Sequence, residues 1–150
     1  MEKEHYKKMG LMLLISFPVM YAVMYLNVDE GSHIYLSLTR MYMALLMVSP
    51  MAILMLVLMK KMYPNKKSNA LIIFGSAGIF VISLVLLRTQ TPIGDVQYMK
   101  AMIPHHSSAI LTSKNANISD PEVKKLSGQI IRSQEEEIIQ MKQLIERLDK

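Results

Sequence analysis

Three stretches of this 150-residue chain contain no Asp, Glu, Lys, Arg or His: Met9–Leu26, Met41–Met59 and Ala70–Leu87, of 18, 19 and 18 residues. A helix needs roughly 17 to 25 apolar residues to cross a hydrocarbon core of about 30 Å, so each stretch is long enough to span a bilayer. Intrinsic disorder and a water-soluble globule of the whole chain are both excluded by this distribution. The chain is therefore expected to be all-α. A membrane region over residues 1–88, with three transmembrane helices near 9–26, 41–59 and 70–87, precedes a linker at 89–94 and a helical hairpin domain at 95–150.

The formal charge of +5 raises nucleic-acid binding, but its location argues otherwise. Lys3, Lys7 and Lys8 flank the first stretch, and Lys60, Lys61, Lys66 and Lys67 fill the connection between the second and third. Lysines clustered at span ends set orientation. They predict a multi-pass protein of the cytoplasmic membrane with a cytoplasmic N-terminus, an extracytoplasmic C-terminal domain and no nucleic-acid partner. The first apolar run exceeds the 7 to 15 residues of a signal-peptide core and no small-x-small cleavage pattern follows it, so it reads as an uncleaved anchor. Met43, Met47, Met51, Met55 and Met59 recur every four residues, as do Met20 and Met24. The five spread over about 160° of helix surface and read as packing or lipid-facing side chains rather than an ion relay. Gly75, Ser76, Ala77 and Gly78 offer a small-residue surface for helix packing.

Thr89–Gly94 reads as a linker, and two helices follow. The first runs from about Asp95, a plausible N-cap, to about Lys114. The second starts at Ser119-Asp120-Pro121-Glu122, read as a capping box on Ser119, and runs to about Leu148. Two helices alone bury little apolar surface, so the hairpin is expected to dimerise into a four-helix bundle or to lean on the membrane region.

On the second helix, steps of three and four trace a seam through Val123, Ser127, Ile130, Gln134, Glu137, Met141, Leu144 and Leu148, flanked by Leu126, Ile131, Ile138 and Ile145. Gln134 and Glu137 interrupt its apolar character. A buried carboxylate is costly unless a cation, a metal or hydrogen-bond donors answer it, so Glu137 should meet a partner on the first helix. That helix gathers Asp95, Tyr98, Met99, Met102, His105, His106 and Ala109 on one broad face. His105 and His106 lie about 100° apart, so one should face inward and the other sit at the edge. Pro104 cannot donate to the Lys100 carbonyl, which should bend the helix beside them. Imidazole suits copper, zinc and iron, whereas thioether sulfur favours Cu(I). Met99, Met102 and Met141 beside the histidines thus point to copper, with zinc or another divalent ion as the alternative. Cysteine is absent, which removes thiolate sites and a cysteine nucleophile. The competing reading makes the methionines core filler and the histidine pair solvated or hydrogen-bonded, while His5 and His33 are read as solvated.

The run Asp95-Val-Gln-Tyr98-Met-Lys-Ala-Met102-Ile-Pro-His105-His106-Ser-Ser-Ala109-Ile110, with Gln134-Glu-Glu-Glu137-Ile138-Ile-Gln-Met141, resembles the "domain of unknown function 305" family over residues 92–148. The resemblance implies a ferritin-like helical domain of the periplasmic copper-binding type, acting in copper tolerance. It carries Met102, His105, His106, Glu137 and Met141 over as ligands or their neighbours, with Asp95 and Gln134 behind them. Thr112 stands where the family often has a further Met. The function expected is membrane-anchored copper sequestration or transfer, with a copper-transport or copper-resistance partner and no enzymatic activity. The alternative is a membrane-tethered oligomerisation or scaffold module without metal. A di-iron enzyme would need several carboxylates and Glu-x-x-His motifs, which are missing. Ser107 and Ser108 lack a nucleophile-elbow motif.

Overall fold

The computed structural model describes residues 2–149, and helices account for most of them; no strand occurs among the described residues. Five α-helices follow in order: α1 (Glu2–Val23), α2 (Leu38–Leu58), α3 (Lys66–Thr89), α4 (Asp95–Asn115) and α5 (Pro121–Leu148), with a single 3-10 turn at Gly31–His33. The chain divides into two compact units. One joins the residues up to Val23 with Thr39–Pro92, and the other joins Met24–Leu38 with the residues from Ile93 onward.

In the first unit, two helices rather than three are long and apolar enough to cross a membrane, α2 with 21 residues and α3 with 24. At 1.5 Å per residue they reach about 31 and 36 Å. The first expected span falls short for a local reason. Helix α1 ends at Val23, and Met24–Leu26 enter a turn. Its apolar part is left with about 22 Å, less than the hydrocarbon thickness of about 30 Å.

The start of α1 is fixed against the turn between α2 and α3. Met9, Leu56 and Tyr63 form a buried cluster. The Tyr6 hydroxyl donates to Asn69 Oδ1 at 2.7 Å and accepts from the Asn65 amide at 3.2 Å. Asn65 also caps α3, its side chain accepting from the Ser68 amide at 3.0 Å. On α2 three of the five buried side chains are small, Ala44, Ser49 and Ala52, beside Tyr42 and Leu56. On α3 the buried positions are Ser76 and Ser83, and not Gly75 or Gly78, where an added Cβ would meet open space. Small side chains let helix backbones approach closely. The outward faces carry Leu14, Leu58, Leu71 and Phe74, all largely exposed, and Met47 is 40% exposed. So much contiguous apolar surface is foreign to a protein solvated on all sides.

In the second unit α4 and α5 form an antiparallel hairpin around Met99, Ile103, Ile110, Ile138 and Ile145, with Ile131, Met141 and Leu144 packed on that core. The caps differ from the sequence reading. Gly94, without a side-chain bond, precedes α4, and Asp95 is its first helical residue. Asp120, not Ser119, caps α5: its Oδ1 accepts from the Glu122 and Val123 amides at 2.9 and 3.0 Å. Pro121 follows at the first helical position, where its missing N–H costs nothing. The buried line on α5 is rotated from the predicted seam. It passes through Ser127, Ile138 and Ile145, with Ile131 partly buried beside them, while Val123, Leu126, Ile130 and Leu148 remain exposed. Residues 24–38 complete this unit, and Tyr35 from that segment packs on the hairpin core.

Candidate metal centre

Helix α4 continues through Pro104, which is buried, and divides the two histidines that follow. His106 turns inward and is 7% exposed, while His105 faces solvent. Their ring centroids lie 6.0 Å apart, with the ring planes at 70°. One inward ring and one edge ring is the division expected of neighbours about 100° apart on a helix.

The His106 ring is held at both nitrogens. Nδ1 lies 2.9 Å from the Met102 carbonyl oxygen one turn back, and Nε2 lies 2.6 Å from Glu137 Oε2 on α5. A carbonyl oxygen only accepts, so Nδ1 carries a proton and donates. Nε2 therefore either donates to the carboxylate, completing an imidazolium–carboxylate pair, or presents its lone pair once that proton has left. Ser133 secures the other carboxylate oxygen, its hydroxyl donating to Glu137 Oε1 at 2.9 Å. The Ser133 hydrogen bond, followed by the bond to His106, holds the Glu137 carboxyl below its usual pKa against the opposing effect of desolvation. Glu137 thus finds the partner that the sequence demands of α4. It does so at the rim, however, with its side chain 48% exposed, because the buried line of α5 runs through Ile138 instead.

Beside this pair opens a cleft of about 590 Å3. Asp95, Met99, Met102, His106, Glu137 and Met141 line it, which brings together six of the eight residues singled out in the sequence. His105 and Gln134 are not among its walls. Tyr98, Gln140, Leu144, Arg147 and Leu148 complete the lining. Ser133 is the contributor that sequence reasoning missed. It lies one turn before Glu137, a spacing at which helical side chains meet, and that spacing was the available signal.

The donor set discriminates among ions. Among the described residues, no three His, Asp or Glu side chains come together as a group that could hold a metal. Ions that depend on nitrogen and oxygen ligands would find one imidazole and two carboxylates, Glu137 and Asp95, which do not form a three-ligand group with it. A soft ion would find that imidazole together with the thioethers of Met99, Met102 and Met141 on the same cleft.

One histidine outside this cleft departs from its sequence reading. His33, expected to be solvated, is buried at 7% exposure against Ser107 of α4.

A family model described as "Domain of unknown function (DUF305)" matches residues 86–150. An uncharacterized protein of Acanthamoeba polyphaga mimivirus is 37% identical over 139 residues, covering 91% of this chain and 90% of that protein. No solved structure matches the chain.

Proposed function

We propose that this chain, which belongs to the DUF305 family, is a membrane-anchored protein that binds copper as Cu(I) outside the cytoplasmic membrane and sequesters it or hands it on. One observation carries the reading: three thioethers and the His106–Glu137 pair share the walls of a single open cleft. His106 would offer Nε2, and Met99, Met102 and Met141 would offer sulfur. The Met102 carbonyl keeps the proton on Nδ1, so Nε2 is the nitrogen turned toward Glu137 and the cleft. Ser133 holds Glu137 in place when His106 is otherwise engaged. Bound there, Cu(I) would be kept reduced by soft donors that do not form disulfides.

The orientation follows from lysine placement. Lys60, Lys61, Lys66 and Lys67 fall in the connection between the two helices long enough to span, which assigns that connection to the cytoplasm. The start of α1 is bonded to the same turn, and so shares its side. The segment before α2 and the hairpin after α3 then both emerge on the extracytoplasmic side. A reporter fused within residues 60–69 should read as cytoplasmic, and an outward signal overturns this arrangement.

A second reading, an oligomerisation module that forms a homodimer without metal, draws on two features. The His106–Glu137 pair is already satisfied within one chain, and Val123, Leu126 and Ile130 line an exposed apolar face of α5. Cu(I) competition against a chromophoric chelator, using the full chain in detergent micelles, separates the two. Wild type should withdraw Cu(I) from the chelator, and the double substitution His106→Ala, Met102→Ala should fail to do so while the helical circular dichroism is kept. Unchanged competition by the double variant rejects the site. A wild type that binds no Cu(I) yet remains dimeric by light scattering supports the second reading.

A further inference from the structure

Residues 24–38 cross the hairpin as a strap, and their polar contacts converge on Ser107 at the middle of α4. We propose that His33 is the proton-sensitive catch of this strap: the neutral ring holds residues 27–33 onto α4 and α5, and the protonated ring releases them.

The geometry is specific. Ser107 is fully buried, and its Oγ accepts from the Asp29 backbone amide at 2.7 Å. His33 Nδ1 lies 2.9 Å from the same oxygen. His33 Nε2 faces the Glu30 carboxylate at 3.7 Å, which favours the tautomer that carries its proton on Nε2 and leaves Nδ1 to accept from the Ser107 hydroxyl. Three further bonds lie around the catch. Asn27 Nδ2 donates to Ser108 Oγ at 2.8 Å, Lys114 of α4 donates to Asp29 Oδ2 at 2.8 Å, and Lys142 of α5 donates to Ser32 Oγ at 3.3 Å.

A proton added to Nδ1 removes the acceptor of the Ser107 hydroxyl and places a cation in a buried site. The charges that face it are Glu30 and Asp29 from the strap, Lys114 from α4 and Lys142 from α5. Asp29 is already engaged by Lys114, and Glu30 is largely solvated, so the acids compensate incompletely. Burial, then Lys142, outweigh them and hold His33 below the usual histidine pKa of about 6.5. The sign follows. A histidine whose pKa is lowered in the closed form stabilises that form above about pH 6.5, and the contribution is lost as pH falls through the lowered value. The remaining contacts are partly exposed and contribute little once the buried one is gone. This inference does not depend on metal binding.

The chain has no cysteine, so spin labels attach only where cysteines are introduced. Gly31→Cys in the strap, where an added Cβ meets open space, and Glu146→Cys, exposed on α5 one turn beyond Lys142, report their separation through dipolar broadening. In the full chain in micelles, the broadening should be present at pH 7.5, disappear by pH 5 and return on neutralisation. The open-to-closed ratio should rise by up to tenfold per pH unit, the limit for one proton. The helical circular dichroism should stay constant throughout. His33→Asn keeps an acceptor near Nδ1 but cannot titrate, so its pH step should vanish whichever form it rests in. The proposal is overturned by a wild type that shows no step, by a step that survives in His33→Asn, or by a step that coincides with loss of helix.

Discussion

Ile130 and Ile138 are the same residue on the same helix with opposite surroundings, which makes them a test of how α5 is rotated. Ile138 is 2% exposed within the hairpin core, whereas Ile130 is 37% exposed outside it. Truncating a buried isoleucine to alanine loses its transfer free energy and leaves a cavity, about 2 to 5 kcal/mol in total. Ile130→Ala leaves no sealed cavity, and water fills the gap, so the loss is at most about 1 kcal/mol. Amide hydrogen exchange of α4 and α5 peptides in the full chain reads the opening of the hairpin directly. Each 1.4 kcal/mol is a factor of ten, so protection should fall at least about 30-fold in Ile138→Ala and less than about 10-fold in Ile130→Ala. Equal losses, or a larger loss at Ile130 that does not vary with protein concentration, would refute the rotation and restore the predicted seam. A loss at Ile130 that grows with concentration would instead place a second copy over that face.

Other tests address the caps and the rim. Asp120→Ala removes the acceptor of two amides at the start of α5 and should cost about 1 kcal/mol, seen as faster exchange of the first-turn amides. Ser119→Ala should leave that exchange unchanged, since Ser119 does not cap. Ser133→Ala removes the largest influence holding the Glu137 carboxyl below its usual pKa, so a carbon-detected NMR titration should show that pKa rising toward 4.5. Because the carboxyl titrates lower in the folded chain, its stabilising contribution is present above about pH 4.5 and is lost as pH falls through the lowered value, sooner in Ser133→Ala than in wild type.

The helices of the hairpin were legible because each carries a long apolar period with turn residues between, but the rotation of α5 was not. Ile130, Glu137 and Leu144 form one row at helical spacing, and Ile131, Ile138 and Ile145 form another about 100° away. Both rows are apolar enough to serve as a seam. The choice between them is made by α4, whose Met99, Ile103 and Ile110 meet the second row. Periodicity within one helix cannot supply that information. The same limit hid His33, whose partner Ser107 lies 74 residues away in the chain. Helix α1 shows the converse error: an uninterrupted apolar run was equated with an uninterrupted helix, although the backbone turns after Val23. The candidate site was read more completely because its residues recur on one face of α4 and meet Glu137 and Met141 of α5 at the cleft.

The rotation also bears on what such a cleft is suited to do. Had Glu137 occupied the buried seam, its charge would have needed a permanent counterion, and any ion held there could exchange only when the hairpin opened. At the rim, the carboxylate stays ionised at little cost, with Ser133 and His106 bonded to it and water beside it. Met99 belongs to the core that Ile103, Ile110, Ile138 and Ile145 complete, and Met141 packs on it, whereas Met102, His106 and Glu137 lie outside that cluster. On the proposed Cu(I) reading, the donors outside the core could take up or lose an ion while the hairpin remains folded. That reading predicts that His106→Ala and Met102→Ala weaken Cu(I) retention far more than they weaken the hairpin. Retention that fell only in step with hairpin stability, as judged by hydrogen exchange, would place the donors back in the core.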